Sequence, residues 1–83
     1  MYIYRIAELS KRDGVKVYLY KGKENKILGI NGEGNVPYIS PSDQEKYCYV
    51  SRKACEKAAE KTLDAFAGLL GHINLYSMSI IEI

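Results

Sequence analysis

Nucleophilic or acid–base catalysis usually needs a histidine, an activated cysteine or serine, or paired carboxylates, and this chain has one histidine, His72, and two cysteines, Cys48 and Cys55. The cysteines lie seven residues apart, a spacing that fits neither a zinc knuckle nor a Cys-x-x-Cys redox pair. Neither cysteine has a sequence neighbour that would clearly lower its pKa, and cysteine is among the most frequently buried residue types. We therefore expect both cysteines to be buried free thiols and His72 to be a surface residue that follows a helix.

The glycine-rich segment 29–34 has the composition of a phosphate-binding loop, but no Gly-Lys-Ser/Thr triplet and no helix start follow it. Glu33 would also repel a phosphate, whereas Asn31 and Gly32 form a typical hairpin dipeptide. No series of carboxylates has the spacing of a calcium loop, and no Cys/His set could close a zinc site. We expect a protein that is not an enzyme and that binds no metal ion and no organic cofactor.

Several segments of the chain alternate β-branched and aromatic residues with polar ones, as half-buried strands do. Pro37 lacks a ladder donor, so the segment that contains it can only be an edge strand. Residues 40–43 are predicted to form a loop. The predicted strands cover residues 1–9, 15–20, 26–30, 36–39, 47–50 and 75–83.

The apolar period changes from two to 3.6 residues at Ser51, which is a plausible helix N-cap. Gly68 and Gly71 place the end of this helix near residue 70, so the sequence predicts one helix over residues 52–70. The last strand should run parallel to the strand at residues 47–50 if both lie in the same sheet. The predicted fold is a single α+β domain spanning residues 1–83: a mainly antiparallel sheet of four to six strands in the order β-β-β-(β)-β-α-β, with the helix packed on one face.

A register for the first hairpin follows from charge and aromatic pairing, with Tyr4 opposite Tyr20, Ile6 opposite Tyr18 and Glu8 opposite Lys16. This register gathers aliphatic side chains on the other face, which we expect to lie against the helix: Ile3, Ala7, Leu9, Val15, Val17 and Leu19. It turns a tyrosine-rich face outward, as a candidate protein-binding surface: Tyr2, Tyr4, Tyr18, Tyr20, Tyr47 and Tyr49.

Positive charge is concentrated in the first 26 residues, which carry seven basic and three acidic side chains although the net charge of the chain is only +2. An anionic partner would therefore meet the first hairpin. The residues of this alternative, nucleic-acid-binding site are Lys11, Arg12, Lys16, Lys21, Lys23 and Lys26.

In size, in α+β layout and in the lack of an active site, the whole chain resembles small phage or mobile-element accessory proteins, including anti-CRISPR and other anti-defence inhibitors. This resemblance implies a protein that occludes a larger host machine without doing chemistry, with a host defence complex as its partner. No secretory segment or membrane-length apolar stretch is present, so we expect the protein in the cytoplasm, in that of the host cell if it is phage-encoded.

The sequence thus predicts a small protein-binding inhibitor or adaptor that acts through its tyrosine face, with a second copy of the chain as a further candidate partner. The alternative function is nucleic-acid binding through the basic first hairpin. These two functions differ in salt dependence, because phosphate-driven binding weakens steeply as the salt concentration rises.

Overall fold

A computed structural model describes all 83 residues of the chain and contains one four-stranded sheet and two α-helices. The strands follow one another in the sheet in the order β3-β2-β1-β4, and every neighbouring pair is antiparallel. The predicted α+β fold is therefore confirmed. The elements are β1 (Tyr2–Ser10), β2 (Lys16–Lys21), a short 3₁₀ turn (Lys23–Asn25), β3 (Ile27–Asn31), α1 (Pro41–Tyr47), α2 (Arg52–Leu70) and β4 (Asn74–Glu82).

Both faces of the sheet carry a buried cluster. The face that packs against α2, the helix face, holds Tyr4 and Ile6 of β1 against Cys55 and Ala59 of α2. The opposite face, the loop face, is covered by the segment that joins β3 to α2 and that includes α1. Its buried residues are Ile3, Tyr20, Ile39 and Cys48. Alternate residues of β1 thus bury both faces of the central strand.

Helix α2 has the predicted bounds and packs on the sheet as expected. The Ser51 hydroxyl accepts a hydrogen bond from the Ala54 N–H at 3.2 Å, which satisfies one of the free donors of the first turn. Leu63 and Phe66 are half-buried against the helix-face cluster. Neither α-helix is both long enough and apolar enough to cross a bilayer.

Helix α1 replaces most of the predicted loop at residues 40–43 and includes the first residue of the predicted strand at 47–50. It begins with a capping arrangement in which the Ser40 hydroxyl accepts the Asp43 N–H at 3.2 Å and Pro41 takes the first helical position. Of the predicted strand, only Tyr49 pairs with the sheet, through an antiparallel bridge to Tyr2. Since β4 is also antiparallel to β1, the backbone at Tyr49 and β4 run in the same direction, with β1 between them.

The predicted edge strand at residues 36–39 makes no ladder. Pro37 instead packs over Gly29 in β3, where an added Cβ atom would lie 2.7 Å from the proline Cγ. The absence of a side chain at Gly29 therefore admits the proline ring, and the segment crosses the loop face instead of extending the sheet.

The predicted register of the first hairpin is wrong by one residue. In the structure, Tyr4 lies opposite Lys21, Ile6 opposite Leu19 and Glu8 opposite Val17. The turn sets this register: Gly14 takes a left-handed φ of 73° and donates its N–H to the Ser10 carbonyl, and the Asp13 carboxylate accepts the Val15 N–H. A shift of one residue moves the side chains of one strand to the opposite face of the sheet relative to those of its partner strand. The predicted face assignments are therefore wrong.

Replacing a side chain at the centre of the helix-face cluster tests this arrangement. We expect Ile6→Ala to lower the free energy of unfolding by about 2 to 4 kcal/mol, because it removes buried methyl groups and leaves a cavity. The matched variant Ile30→Ala, at a position 60% exposed on β3, should cost less than about 1 kcal/mol. Urea denaturation of both variants measures the difference, and equal losses would contradict the arrangement.

Candidate functional site

The six tyrosines of the predicted protein-binding surface do not share an exposed face. Tyr4 and Tyr20 are only 1% and 0% exposed, and they lie on the helix face and the loop face respectively. Tyr2 and Tyr49 flank the helix-face cluster, while Tyr18 packs against the loop-face cluster. The outward tyrosine face is therefore wrong, and the one-residue change of register is the reason. The remaining member, Tyr47, ends α1 and lies beside the ammonium groups of Lys26 and Lys46.

Two of these tyrosines have structural partners instead. The Tyr4 hydroxyl lies 3.0 Å from Thr62 Oγ1, and Thr62 donates its own proton to the Ala58 carbonyl at 3.0 Å. Tyr4 is therefore the donor to Thr62, and this bond ties β1 to the middle of α2. The guanidinium carbon of Arg5 lies 4.9 Å from the centre of the Tyr18 ring, so the loop face holds its arginine by a cation–π contact.

The six cations of the predicted nucleic-acid site are divided between the two ends of β2. Lys11, Arg12 and Lys16 lie at the first hairpin turn, whereas Lys21 and the lysines that follow it lie at the second. A six-residue strand separates the groups by roughly 17 Å. The strand also directs Lys16 and Lys21 to opposite faces, beside the rings of Tyr18 and Phe66. The structure therefore does not bring these residues together as one footprint.

Helix α2 packs mainly on β1 and β4, so it leaves the helix face of β2 and β3 open. Leu19 shares this face with Ile6, its partner in the register, and Ile30 lies beside Leu19. Three positions at this surface are more than half exposed: Val15 at 55%, Ile27 at 53% and Ile30 at 60%. Together with the half-buried pair on β2, they form an aliphatic floor: Val15, Val17, Leu19, Ile27 and Ile30.

A cleft of about 530 Å³ lies between Lys21, the register partner of Ile27 in the floor, and the middle of α2, although no floor residue lines it. On the side of α2, the cleft is lined by two alanines, a threonine, a lysine and a phenylalanine. Leu69, which is 73% exposed, lies one to two helical turns further along the same side of α2. The floor, the cleft and this side of α2 are called the groove below. The lining residues of the cleft are Tyr4, Lys21, Glu24, Asn25, Tyr49, Ala58, Lys61, Thr62, Ala65 and Phe66.

The end of the groove beside the 3₁₀ turn is called the closed end below. Its charge is net positive, because Lys21 and Lys61 outnumber Glu24 among the residues that line the cleft. The Lys21 ammonium lies 6.0 Å from the centre of the Phe66 ring, which keeps it close to the helix wall. Burial raises the pKa of the Tyr49 phenol, so this ring stays neutral at the edge of the cleft. The groove thus offers an apolar floor with a cationic end.

Glu24 and Asn25 shape that end through their backbone. Both take left-handed φ angles, 58° and 57°, which side-chain-bearing residues seldom adopt. The turn they form is held close to the end of α1, since an added Cβ at Gly22 would collide with the Tyr47 carbonyl oxygen. The groove is therefore closed at this end by a turn that packing against α1 fixes in place.

The residues first considered for catalysis lie apart from the groove's floor. His72 is exposed in the turn after α2, and no three histidine, cysteine, aspartate or glutamate side chains cluster as metal ligands. Cys48 and Cys55 are buried free thiols, as predicted. Burial raises the pKa of both thiols, and for Cys55 the value reaches about 11.

Comparisons of the chain with family models, curated proteins and solved structures found no match.

Sequence reasoning finds part of the groove but assigns it to another role. It recognises Val15, Val17 and Leu19 as one aliphatic face, although it predicts that α2 covers them. It identifies Ile27 and Ile30 only as strand residues, because their exposure depends on how far the helix reaches across the sheet. Lys61 and Phe66 carry no signal of their own, since they fit the polar and apolar stripes of an ordinary surface helix.

The buried Cys55 thiol predicts a specific pH dependence of stability. Its pKa is near 9.0 in the unfolded chain and about 11 in the folded protein, so the folded state holds the proton more tightly. The contribution of this thiol to the free energy of unfolding is fully present below pH 9, and it is lost as the pH rises from 9 towards 11. We expect the free energy of unfolding to fall more steeply over this range in the wild type than in Cys55→Ala, measured by urea denaturation at each pH. Parallel pH profiles would refute this expectation.

Proposed function

We propose that this protein is a non-enzymatic protein-binding domain, an inhibitor or adaptor that docks an amphipathic helix of its partner in the groove beside α2. The observation that supports this function is the open aliphatic floor of β2 and β3, which the protein's own helix does not cover. Contiguous apolar surface on a folded chain usually marks an interaction site. An amphipathic helix in an apolar groove is a recurrent mode of protein recognition.

The width of the open surface fits one helix. Neighbouring strands lie about 4.8 Å apart, so two uncovered strands present roughly 10 Å, which is the diameter of a helix with its side chains. Helix α2 already covers the other two strands, β1 and β4, in the same way. A helix of the partner would therefore cover β2 and β3 as α2 covers β1 and β4. It would pack alongside α2 at the usual interaxial distance of about 8–10 Å.

The length and charge of the groove narrow the partner further. A six-residue strand such as β2 is about 20 Å long, which matches a helix of roughly 13 residues at 1.5 Å per residue. Lys21 and Lys61 at the closed end favour acidic side chains on the part of that helix nearest to them. The proposed partner segment is thus a helix of three to four turns with one apolar stripe and an acidic end.

The resemblance to anti-CRISPR and other anti-defence proteins stays a prediction. Under it, the docked helix would belong to a component of a host defence complex, and occupation of that helix would block its normal contact. The nucleic-acid alternative has less support, because its six cations are divided between two ends and two faces of the hairpin.

Selection from a phage-displayed library of helical 14-residue peptides tests the proposal, whatever the identity of the natural partner. We expect enriched peptides to share apolar residues at positions i, i+3, i+4 and i+7, with acidic residues towards one end. When one such peptide is added to ¹⁵N-labelled protein, the largest amide shifts should occur at Leu19, Ile30 and Lys61.

Two substitutions of exposed aliphatic residues provide the matched comparison. Ile30→Asp places a carboxylate on the groove floor and should weaken peptide binding about ten-fold or more, which corresponds to about 1.4 kcal/mol. Val50→Asp changes a residue that is 74% exposed and lies outside the groove, so it should leave binding unchanged. Failure of any peptide to enrich, or equal binding to both variants, would overturn the proposal. Tight, salt-sensitive binding of an oligonucleotide would favour the nucleic-acid function instead.

A further inference from the structure

Strand β4 leaves one edge of the sheet without a partner. It lies at the end of the strand order and is nine residues long. On its inner side, the Ile83 N–H donates to the Met1 carbonyl at 2.9 Å, and the Lys11 N–H donates to the Ile73 carbonyl at 3.1 Å. Because hydrogen-bonded pairs alternate in an antiparallel ladder, the odd-numbered residues of β4 bond to β1. The N–H and C=O groups of the even-numbered residues therefore point outward: Asn74, Tyr76, Met78, Ile80 and Glu82.

This edge lacks the features with which soluble proteins normally prevent strand addition. From Asn74 to Ile81 the strand contains no charged residue and no proline, and its pairing with β1 is regular along its whole length. The other edge strand, β3, has only five residues, an irregular register beside Lys21 and a lysine immediately before it. The two edges thus differ, and only the edge of β4 is long, regularly paired and uncharged along eight residues.

The side chains of β4 repeat in reverse order about Met78. Two apolar residues precede Ser77, and two apolar residues follow Ser79. If two copies of the strand are placed antiparallel and centred on Met78, polar residues meet polar ones and apolar residues meet apolar ones. The opposed pairs are Asn74 with Glu82, Leu75 with Ile81, Tyr76 with Ile80, Ser77 with Ser79, and Met78 with Met78.

We propose that β4 pairs with β4 of a second copy of this chain, about a two-fold axis at Met78, so that the two sheets join into one sheet of eight strands. In this register every outward-pointing residue meets an outward-pointing residue, as a hydrogen-bonded ladder requires. Tyr76 and Ile80 form an aromatic–aliphatic pair, and no like charges lie opposite each other, since Glu82 meets the neutral Asn74.

The same observations favour a second copy over a foreign strand. An isologous interface must be complementary to itself, and a reversed pattern in the edge strand provides this. Moving either strand by two residues preserves the ladder but places Tyr76 opposite Glu82 in one direction and Ile80 opposite Asn74 in the other. Only the register centred on Met78 uses all nine residues of both strands and keeps polar residues opposite polar ones.

Charged substitutions at the two serines test this pairing with a matched control. In the double variant S77E/S79E, carboxylates lie opposite carboxylates across the two-fold axis, which should raise the dimer dissociation constant roughly ten-fold or more. In S77K/S79E, each lysine lies opposite a glutamate of the other copy, so the dimer should be retained. Both variants place the same glutamate opposite Arg5 within one chain, so this local effect is shared.

Sedimentation equilibrium of the wild type and both variants, over a wide range of protein concentration, measures the association. Hydrogen exchange then locates the interface: the Tyr76, Met78 and Ile80 amides should gain protection with concentration, while those of Ser77 and Ser79 should be protected throughout. A monomeric wild type at all concentrations, equal association of the two variants, or protection gained at β3 would each overturn the proposal. Ile30→Asp should still dimerise, which separates this inference from the groove.

Discussion

Strand β1 lies at the centre of the sheet and has to bury both of its faces. Ile3 is buried on the loop face, and Tyr4 and Ile6 are buried on the helix face. One element cannot cover both faces, so the chain places α2 on one side and the connection through α1 on the other. Because α2 must lie over β1, and β4 is the neighbour it also contacts, β2 and β3 receive cover on the loop face alone. The open floor of the groove is a direct result of this division.

The period of the apolar residues and the capping residues of the helices explain how much of the fold could be predicted from the sequence. Helix α2 has both signals, the 3.6-residue apolar repeat and Ser51, and its predicted bounds agree with the structure. Helix α1 carries a readable start at Ser40 and Pro41, but seven residues hold too little periodicity to outweigh the strand-like residues after it. The hairpin register could not be predicted in this way, because side-chain pairing favours one register and the backbone geometry of the turn at Gly14 selects the next.

The candidate site is less accessible to sequence reasoning than the fold. An alternating strand reveals which residues share a face, and for this reason the sequence groups Val15, Val17 and Leu19 correctly. It does not reveal the order of strands in the sheet, and that order decides which strands α2 covers and which strand is left at the edge. Tyr20 illustrates the same limit: its ring is fully buried and its hydroxyl has no hydrogen-bond partner in the chain, an environment unlike the exposed face its pattern indicates.

The position of β1 also has a consequence for synthesis on the ribosome. The central strand is made before both of its neighbours: its hairpin partner β2 follows at once, but β4 follows only after β3, α1 and α2. Until then one side of β1 has no ladder, and α2 lacks half of the surface on which it packs. Contacts between distant parts of a chain form slowly, because the intervening loop must be closed before they are gained. The nascent chain therefore exposes two strand edges in succession, first that of β1 until β4 has been made, and then that of β4 itself.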